Sequence, residues 1–380
     1  MLKRLAEFQP ARLTQARQMR ELSMAELALR ADLTRQAISS FEKIGGKVPA
    51  PETLRSLARE LGVEPSFLTC PIRHGESADA LQSAITFRTL ASSLKRQRDQ
   101  ARVFLHWLAG LSDFLSEYVD LPLASLPQFD IADFETLTPD DVEGLAERTR
   151  RGLGLGDGPI SDLTLLLENR GCVVGYVGMA QGMDGISAWI DNRPAILVSD
   201  KAYAARGRFD LAHELGHLIM HQSLTPEDLE RKETLRLVEA QANNFASCFL
   251  LPERTFAKEI YGVDRDSLIA AKERWGVSMQ AMLMRLHQIG LLGERQLTRA
   301  FQQISASGLR KKEPLDDVSK PERPRLFKKI IELVREKNIL AWDDFIARAA
   351  YPLWFLEQAT GVSSVPNPTQ NVIQFKVRTA

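Results

Sequence analysis

His213, Glu214 and His217 stand in the run Arg208-Phe209-Asp210-Leu211-Ala212-His213-Glu214-Leu215-Gly216-His217-Leu218. Helix residues four apart share a face, so the two imidazoles project together. Two nitrogens so placed can hold one Zn²⁺ at about 2.0–2.1 Å. Glu214 lies off that line, where its carboxylate reaches a water acidified by the metal and takes its proton. The bland alternative is a core helix with two hydrogen-bonded histidines. Phe209, Leu211, Ala212, Leu215, Leu218 and Ile219 supply the helical apolar period. Gly216 costs about 1 kcal/mol against Ala, which suits a close neighbour at that point.

A catalytic zinc normally has three protein ligands and one open position. A third histidine six residues beyond His217 is absent, because Ser223 stands there. His221, one turn beyond His217, is too far along the helix to share a metal with His213. It is expected beside the ligands or at the helix end. Glu239 is the better third ligand, in Leu237-Val238-Glu239-Ala240-Gln241-Ala242-Asn243-Asn244-Phe245-Ala246, a helical segment closed by Pro252. Glu239, Ala242, Asn243 and Ala246 share a face, and the small alanines permit close approach to the first helix. Asn243 would accept the outer N–H of a ligating histidine and fix its tautomer. The plainer reading of Glu239 is a solvent-facing carboxylate.

His213-Glu214-Leu215-Gly216-His217, then Glu239 to Ala246 and Leu250-Leu251-Pro252, together resemble the ImmA/IrrE metallopeptidases, bacterial and phage proteins with a gluzincin-like core. The resemblance covers roughly residues 160–292. It implies zinc held by His213, His217 and Glu239, Glu214 as general base, and a DNA-bound helix-turn-helix repressor as the protein acted on.

Forty-nine basic residues cancel 49 acidic ones, so the whole chain is no generic polyanion binder. A hydrophobic share of 44% in 380 residues suffices for two or three packed domains. Cys70, Cys172 and Cys248 are few and far apart, which suits a reducing compartment and no disulfide frame. No signal-peptide core and no apolar run of membrane-spanning length is present. A cytoplasmic protein, bacterial or phage-encoded, is the expectation.

The N-terminal seventy residues carry a second pattern. Helices are predicted over 12–20, 24–30, 35–43, 51–61 and 63–68. Ser23 caps the second, with Glu26 at the capping-box position, and Thr34 caps the third. Twelve Lys and Arg face eight Asp and Glu in residues 1–74, an excess that favours phosphate contact. Leu33, Ile38 and Phe41 would pack inward, leaving Arg35, Gln36, Ser39 and Ser40 for a groove. Arg and Gln suit guanine and adenine edges. The stretches Leu22 to Ala28 and Arg35 to Glu42, with Leu57 to Val63, resemble the Cro/repressor-type (XRE) helix-turn-helix. Met24 departs from it, standing where a Gln is usual. A helical bundle without DNA binding is the alternative.

The expected fold class is mainly α with a small β-sheet (α+β). The expected divisions are 1–74 helix-turn-helix domain, 75–139 helical connector and linker, 140–262 zincin-like domain, 263–305 helix-turn-helix-like bundle, and 306–380 helical region of unassigned role. Within these, 81–118 reads as a connecting helix or hairpin, and its basic residues Lys95, Arg96, Arg98 and Arg102 as a solvated face. Proline-rich 121–139 reads as a linker. Short β-rich runs at 172–177, 187–190 and 195–198 read as an antiparallel sheet beside the site, with Trp189 either packing on the core, the favoured reading, or lining the cleft. An edge of such a sheet can bind a peptide by strand addition. His221, Tyr203 and Tyr176 are candidates for oxyanion stabilisation. Residues 310–312 and 319–324 read as exposed linker, 327–342 and 345–354 as amphipathic helices, and 367–380 as a short strand and tail.

The functional expectation is a DNA-binding transcriptional regulator with a Zn²⁺ endopeptidase domain, whose partners are an operator, a regulator protein as substrate, and a second copy of the chain. The alternatives are a ligand- or stress-sensing regulator, or an antitoxin or phage-type repressor, whose zincin fold serves as sensor or dimerisation module.

Overall fold

Four helices open the chain: α1 (Pro10–Met19), α2 (Met24–Arg30), α3 (Arg35–Glu42) and α4 (Pro51–Leu61). The computed structural model describes residues 7–76, 86–87, 95–178, 183–200, 202–225 and 227–362. Prolines at the first positions of α1 and α4 lose no helical hydrogen bond there. Ser23 and Glu26 form the expected capping box, and Thr34 accepts from the Ala37 N–H at 3.1 Å. Gly62, at φ 67°, ends α4 in the left-handed region. The fifth segment is a single 3₁₀ turn, Phe67–Thr69. Leu13, Leu27, Ile38, Leu57 and Leu61 make the core of this bundle.

The helix of the connector among the described residues is α5 (Lys95–Ser116), and it is buried on nearly every side from Ala101 onward. It packs against the helical bundle, the sheet and the C-terminal helices, so it is a core element rather than a spacer. Gly110 makes this possible. A Cβ there would stand 2.4 Å from the Tyr351 hydroxyl and 2.6 Å from Glu76 Cδ. Residues 121–138 contain only the turn Phe134–Thr136, as their prolines dictate. Leu126 and Phe134 are nonetheless buried, so the expected linker is pinned to the protein surface.

The sheet holds β1 (Thr86–Phe87), β2 (Val173–Val177), β3 (Gly185–Ile190) and β4 (Arg193–Ser199), in the order β1-β3-β4-β2. Asp191 and Asn192, at φ 47° and 65°, make the two-residue hairpin between β3 and β4. The expectation of an antiparallel sheet fails at one pair: β2 and β4 run parallel. β1, β2 and β4 run one way and β3 the other, and β4 inserts between β3 and β2, which brings two like directions together. Alternate residues serve the two faces. Val173, Ile186, Ala188 and Leu197 meet α5, while Val174, Ile196 and Val198 meet the helices of the other layer.

That second layer is built from α6 (Pro139–Gly152), α7 (Leu163–Asn169), α8 (Ala204–Met220), α9 (Lys232–Leu250) and α10 (Glu253–Glu259). Then come α11 (Arg265–Trp275), α12 (Met279–Gln288) and α13 (Glu294–Ala306). The turn between α11 and α12 is helix-turn-helix-like, but Met279, Met282, Leu283 and Leu286 are buried, so the pair buttresses α9. Arg310 to Lys312 are exposed as expected, whereas Glu313 is buried and ion-paired to Lys272 at 2.8 Å. Three helices follow where two were expected: α14 (Leu326–Glu336), α15 (Trp342–Ala349) and α16 (Leu353–Thr360). Phe327, Ile330, Phe345 and Phe355 join the core around α5 and the N-terminal bundle. The expected C-terminal strand at 367–380 lies outside the described residues.

Candidate metal centre and nucleic-acid interface

His213 and His217 lie one turn apart on buried α8, with Nε2 atoms 3.0 Å apart. Glu239 reaches them from α9, its Oε2 3.5 Å from His213 Nε2 and its Oε1 3.6 Å from His217 Nε2. The helices approach closely because Gly216 faces Phe245, whose ring a Cβ would meet at 3.0 Å. Ala242 and Ala246 are fully buried in the same contact.

The hydrogen bonds around the cluster fix its protons. Gln241 Nε2 donates to the Phe134 carbonyl at 2.7 Å, so Gln241 Oε1 faces His221 and must accept from His221 Nε2–H at 2.9 Å. Burial, with His217 alongside, pushes His221 down to about 3, so it is neutral and its Nδ1 carries no proton. His217 Nδ1–H therefore donates to His221 Nδ1 at 2.9 Å, leaving the lone pair on His217 Nε2. His213 Nδ1–H donates to Asn243 Oδ1 at 3.1 Å with the same consequence. Two lone pairs and a carboxylate converge, and Glu239 Oε1 is buried with no hydrogen-bond partner. Tetrahedral ligands at about 2.0–2.1 Å from a zinc stand about 3.3–3.4 Å apart, so the observed spacings fit that ion. Among the described residues this is the one His/Cys/Asp/Glu group of metal-holding geometry.

Glu214 turns from the cluster toward β3. Ser187 Oγ donates to its Oε2 at 2.6 Å, and Gly185 lies so close that a Cβ there would meet Oε1 at 2.5 Å. Ser187, Gly185 and Gln241 escaped the sequence reading. Gln241 had a signal, being a polar residue at the core spacing of Val238, Ala242 and Phe245; the two strand residues had none. Trp189 is half-buried and donates to the Leu218 carbonyl at 3.0 Å, as a core residue. Of the oxyanion candidates, His221 and Tyr176 are held by hydrogen bonds and Tyr203 stands apart from the cluster. The Tyr176 hydroxyl is 3.0 Å from Thr164, and burial raises it to about 12. Tyr203 stands at the start of α8, more than two turns before His213.

In the N-terminal bundle, Arg35, Gln36 and Ser39 are exposed along α3, while Ser40 is half-buried and its Oγ accepts from the Lys47 N–H at 3.4 Å. Ile38 and Phe41 form the inward face, with Leu33 partly buried against it. Arg17 holds Glu42 at 2.6 and 2.8 Å, which fixes α3 against α1. Met24 is half-buried against the core.

Fold and site thus define a helix-turn-helix bundle joined to a peptidase-like domain. Residues 13–68 match the family model described as helix-turn-helix, and residues 167–287 match that of the IrrE N-terminal-like domain, Peptidase_M78. These matches support a DNA-binding regulator with a protease-like domain. No curated protein matches the chain. Among solved structures, a Mycobacterium tuberculosis transcriptional regulator matches at 21% identity and TM-score 0.30, over 41% of this chain and 48% of that one. The match therefore spans less than half of that protein's length. No helix among the described residues is long and apolar enough to cross a membrane.

Proposed function

We propose that this chain is a DNA-tethered zinc endopeptidase that cuts another DNA-bound regulator. The supporting observation is Glu214, a carboxylate oriented by Ser187 beside a three-donor cluster. A purely structural metal needs no such base. His213, His217 and Glu239 would hold Zn²⁺, and Asn243 and His221 keep the two imidazoles in the ligating tautomer. Bound zinc supplies polarisation of the scissile carbonyl and acidification of water. Glu214 accepts the proton of the attacking water and returns it to the leaving amine. Arg35, Gln36, Ser39 and Ser40 of α3 would meet DNA, Arg35 and Gln36 at base edges. Tethering to neighbouring sites raises the effective concentration of the substrate to about millimolar at most, which reduces the need for sequence specificity in the cleft.

The test uses full-length chains, because α5 and the C-terminal helices share a core with the N-terminal bundle and the sheet. Helix-turn-helix repressors on operator DNA are incubated with wild type, Glu214→Gln, and Arg35→Ala/Gln36→Ala. Wild type cleaves, Glu214→Gln retains metal without cleaving, and the α3 variant is at least tenfold slower on DNA. Cleavage by Glu214→Gln at the wild-type rate would falsify the assignment of the base.

A further inference from the structure

The edge of β3 runs along the candidate base, and the chain itself occupies that edge. The Ser199 N–H donates to the Asp184 carbonyl at 2.9 Å, which sets the phase of the β3–β4 ladder. Hydrogen-bonded pairs alternate in an antiparallel ladder. With Ile186 opposite Leu197 and Ala188 opposite Ala195, these residues direct their backbone groups to β4. The backbone groups of Gly185, Ser187 and Trp189 therefore face the other way. On that side lies β1, with Thr86 opposite Ser187 and Phe87 opposite Ile186. Thr86 and Ser187 are thus the hydrogen-bonded pair, and Phe87 and Ile186 the non-hydrogen-bonded one.

The residues that offer this edge are also those that touch the site. Ser187 bonds Glu214 at 2.6 Å, Gly185 lies against the same carboxylate, and Trp189 bonds the carbonyl of Leu218, one residue beyond His217. A strand added to β3 runs past Glu214. We infer that Thr86–Phe87 is a resident occupant of the β3 edge in antiparallel register, competing with any extended peptide that would add there. The inference rests on the peptidase reading for its meaning, but its binding geometry stands apart from catalysis. The occupant's sequence suits the role: Ile85, Thr86, Phe87 and Thr89 are β-branched or aromatic. Among the described residues two of the segment pair, and a two-residue ladder is a weak contact. Its strength comes from tethering, with an effective concentration of about millimolar at most. A longer segment that also pairs with Gly185 and Trp189 can displace it.

The test is run in a Glu214→Gln background, so that nothing is cut. The probe is a fluorescein-labelled peptide with the sequence of residues 81–92. Thr86→Pro removes the N–H that Thr86 directs to β3. It should bind the probe at least tenfold tighter than the parent, and its Ser187 amide should exchange with solvent at least tenfold faster until probe is added. Thr86→Ala keeps the N–H and should behave as the parent. A second variant, Phe87→Cys/Ile186→Cys, places a disulfide at the non-hydrogen-bonded pair, where Cα atoms come closest. Oxidation should lower probe affinity at least tenfold and reduction should restore it, a comparison made within one folded protein. Equal affinity in Thr86→Pro and parent with unchanged Ser187 exchange overturns the inference, as does equal binding by the oxidised and reduced forms. If these binding results hold and the Glu214 chain still leaves the probe intact, the peptidase reading fails while the strand site stands.

Discussion

Replacing Glu76 by Gln should destabilise the union of the N-terminal bundle with the C-terminal helices. Glu76 is fully buried and accepts four hydrogen bonds. Arg12 donates at 2.6 and 2.7 Å, the Tyr351 hydroxyl at 2.9 Å and the Arg73 N–H at 3.0 Å. Arg12 comes from α1, and Tyr351 from the turn between α15 and α16. Burial works against the Arg12 cation, but Glu76 and Tyr351 outweigh it and hold its pKa above the ordinary value. Gln keeps the shape, exchanges one acceptor for a donor, and leaves a buried cation without its counter-charge. Breaking a buried pair from one side costs about 3–5 kcal/mol, whereas replacing both partners by apolar groups is close to neutral. Arg12→Met/Glu76→Met should therefore lose less stability than Glu76→Gln, although Tyr351 and Arg73 keep some unmet donors. Urea denaturation followed by tryptophan fluorescence measures this, because Trp107 donates to Gln15, which also bonds Arg12. A loss below about 1 kcal/mol in Glu76→Gln, or a double variant less stable than the single one, would refute the reasoning.

Three further outcomes follow from the site. Gly185→Ala puts a Cβ 2.5 Å from Glu214 Oε1, against an ordinary contact near 3.4 Å, so the carboxylate must move. A displacement of about 1 Å costs on the order of 100-fold in turnover; zinc content and melting temperature should stay as they are, and unchanged turnover would count against Glu214 as base. Gln241→Leu removes the acceptor that orients His221, and should weaken zinc about 10–100-fold in a chelator competition; unaltered affinity would dissolve the relay. Arg35→Ala should cost about 1–3 kcal/mol at one base pair of the operator. A uniform loss on every DNA sequence would reduce Arg35 to a phosphate contact.

The pattern of residues carried the helix-borne half of the site. Four-residue spacing put His213 and His217 together, and the alanines of α9 anticipated the close approach that brings Glu239 to them. Caps at Ser23 and Thr34 located α2 and α3 for the same reason: local spacing determines local geometry. What could not be read depended on pairing across the chain. The parallel β2–β4 contact follows from which gap β4 fills, and Ser187 reaches Glu214 only once β3 lies on α8. Residues 121–138 looked like a free linker because they have no period, yet Phe134 is buried and its carbonyl anchors Gln241. The basic turn of α5 keeps Lys95 and Arg96 exposed, as its composition suggests, but packing on several sides buries the helix from Ala101 onward.

His213, His217 and Glu239 are proposed to form a zinc site. Native mass spectrometry of the purified full-length protein, reconstituted with zinc and desalted, tests it most directly. One zinc per wild-type chain, one per Glu214→Gln chain and none in folded His213→Ala/His217→Ala are expected. Stoichiometric zinc in that double variant, or a wild-type chain that takes up none, would contradict it.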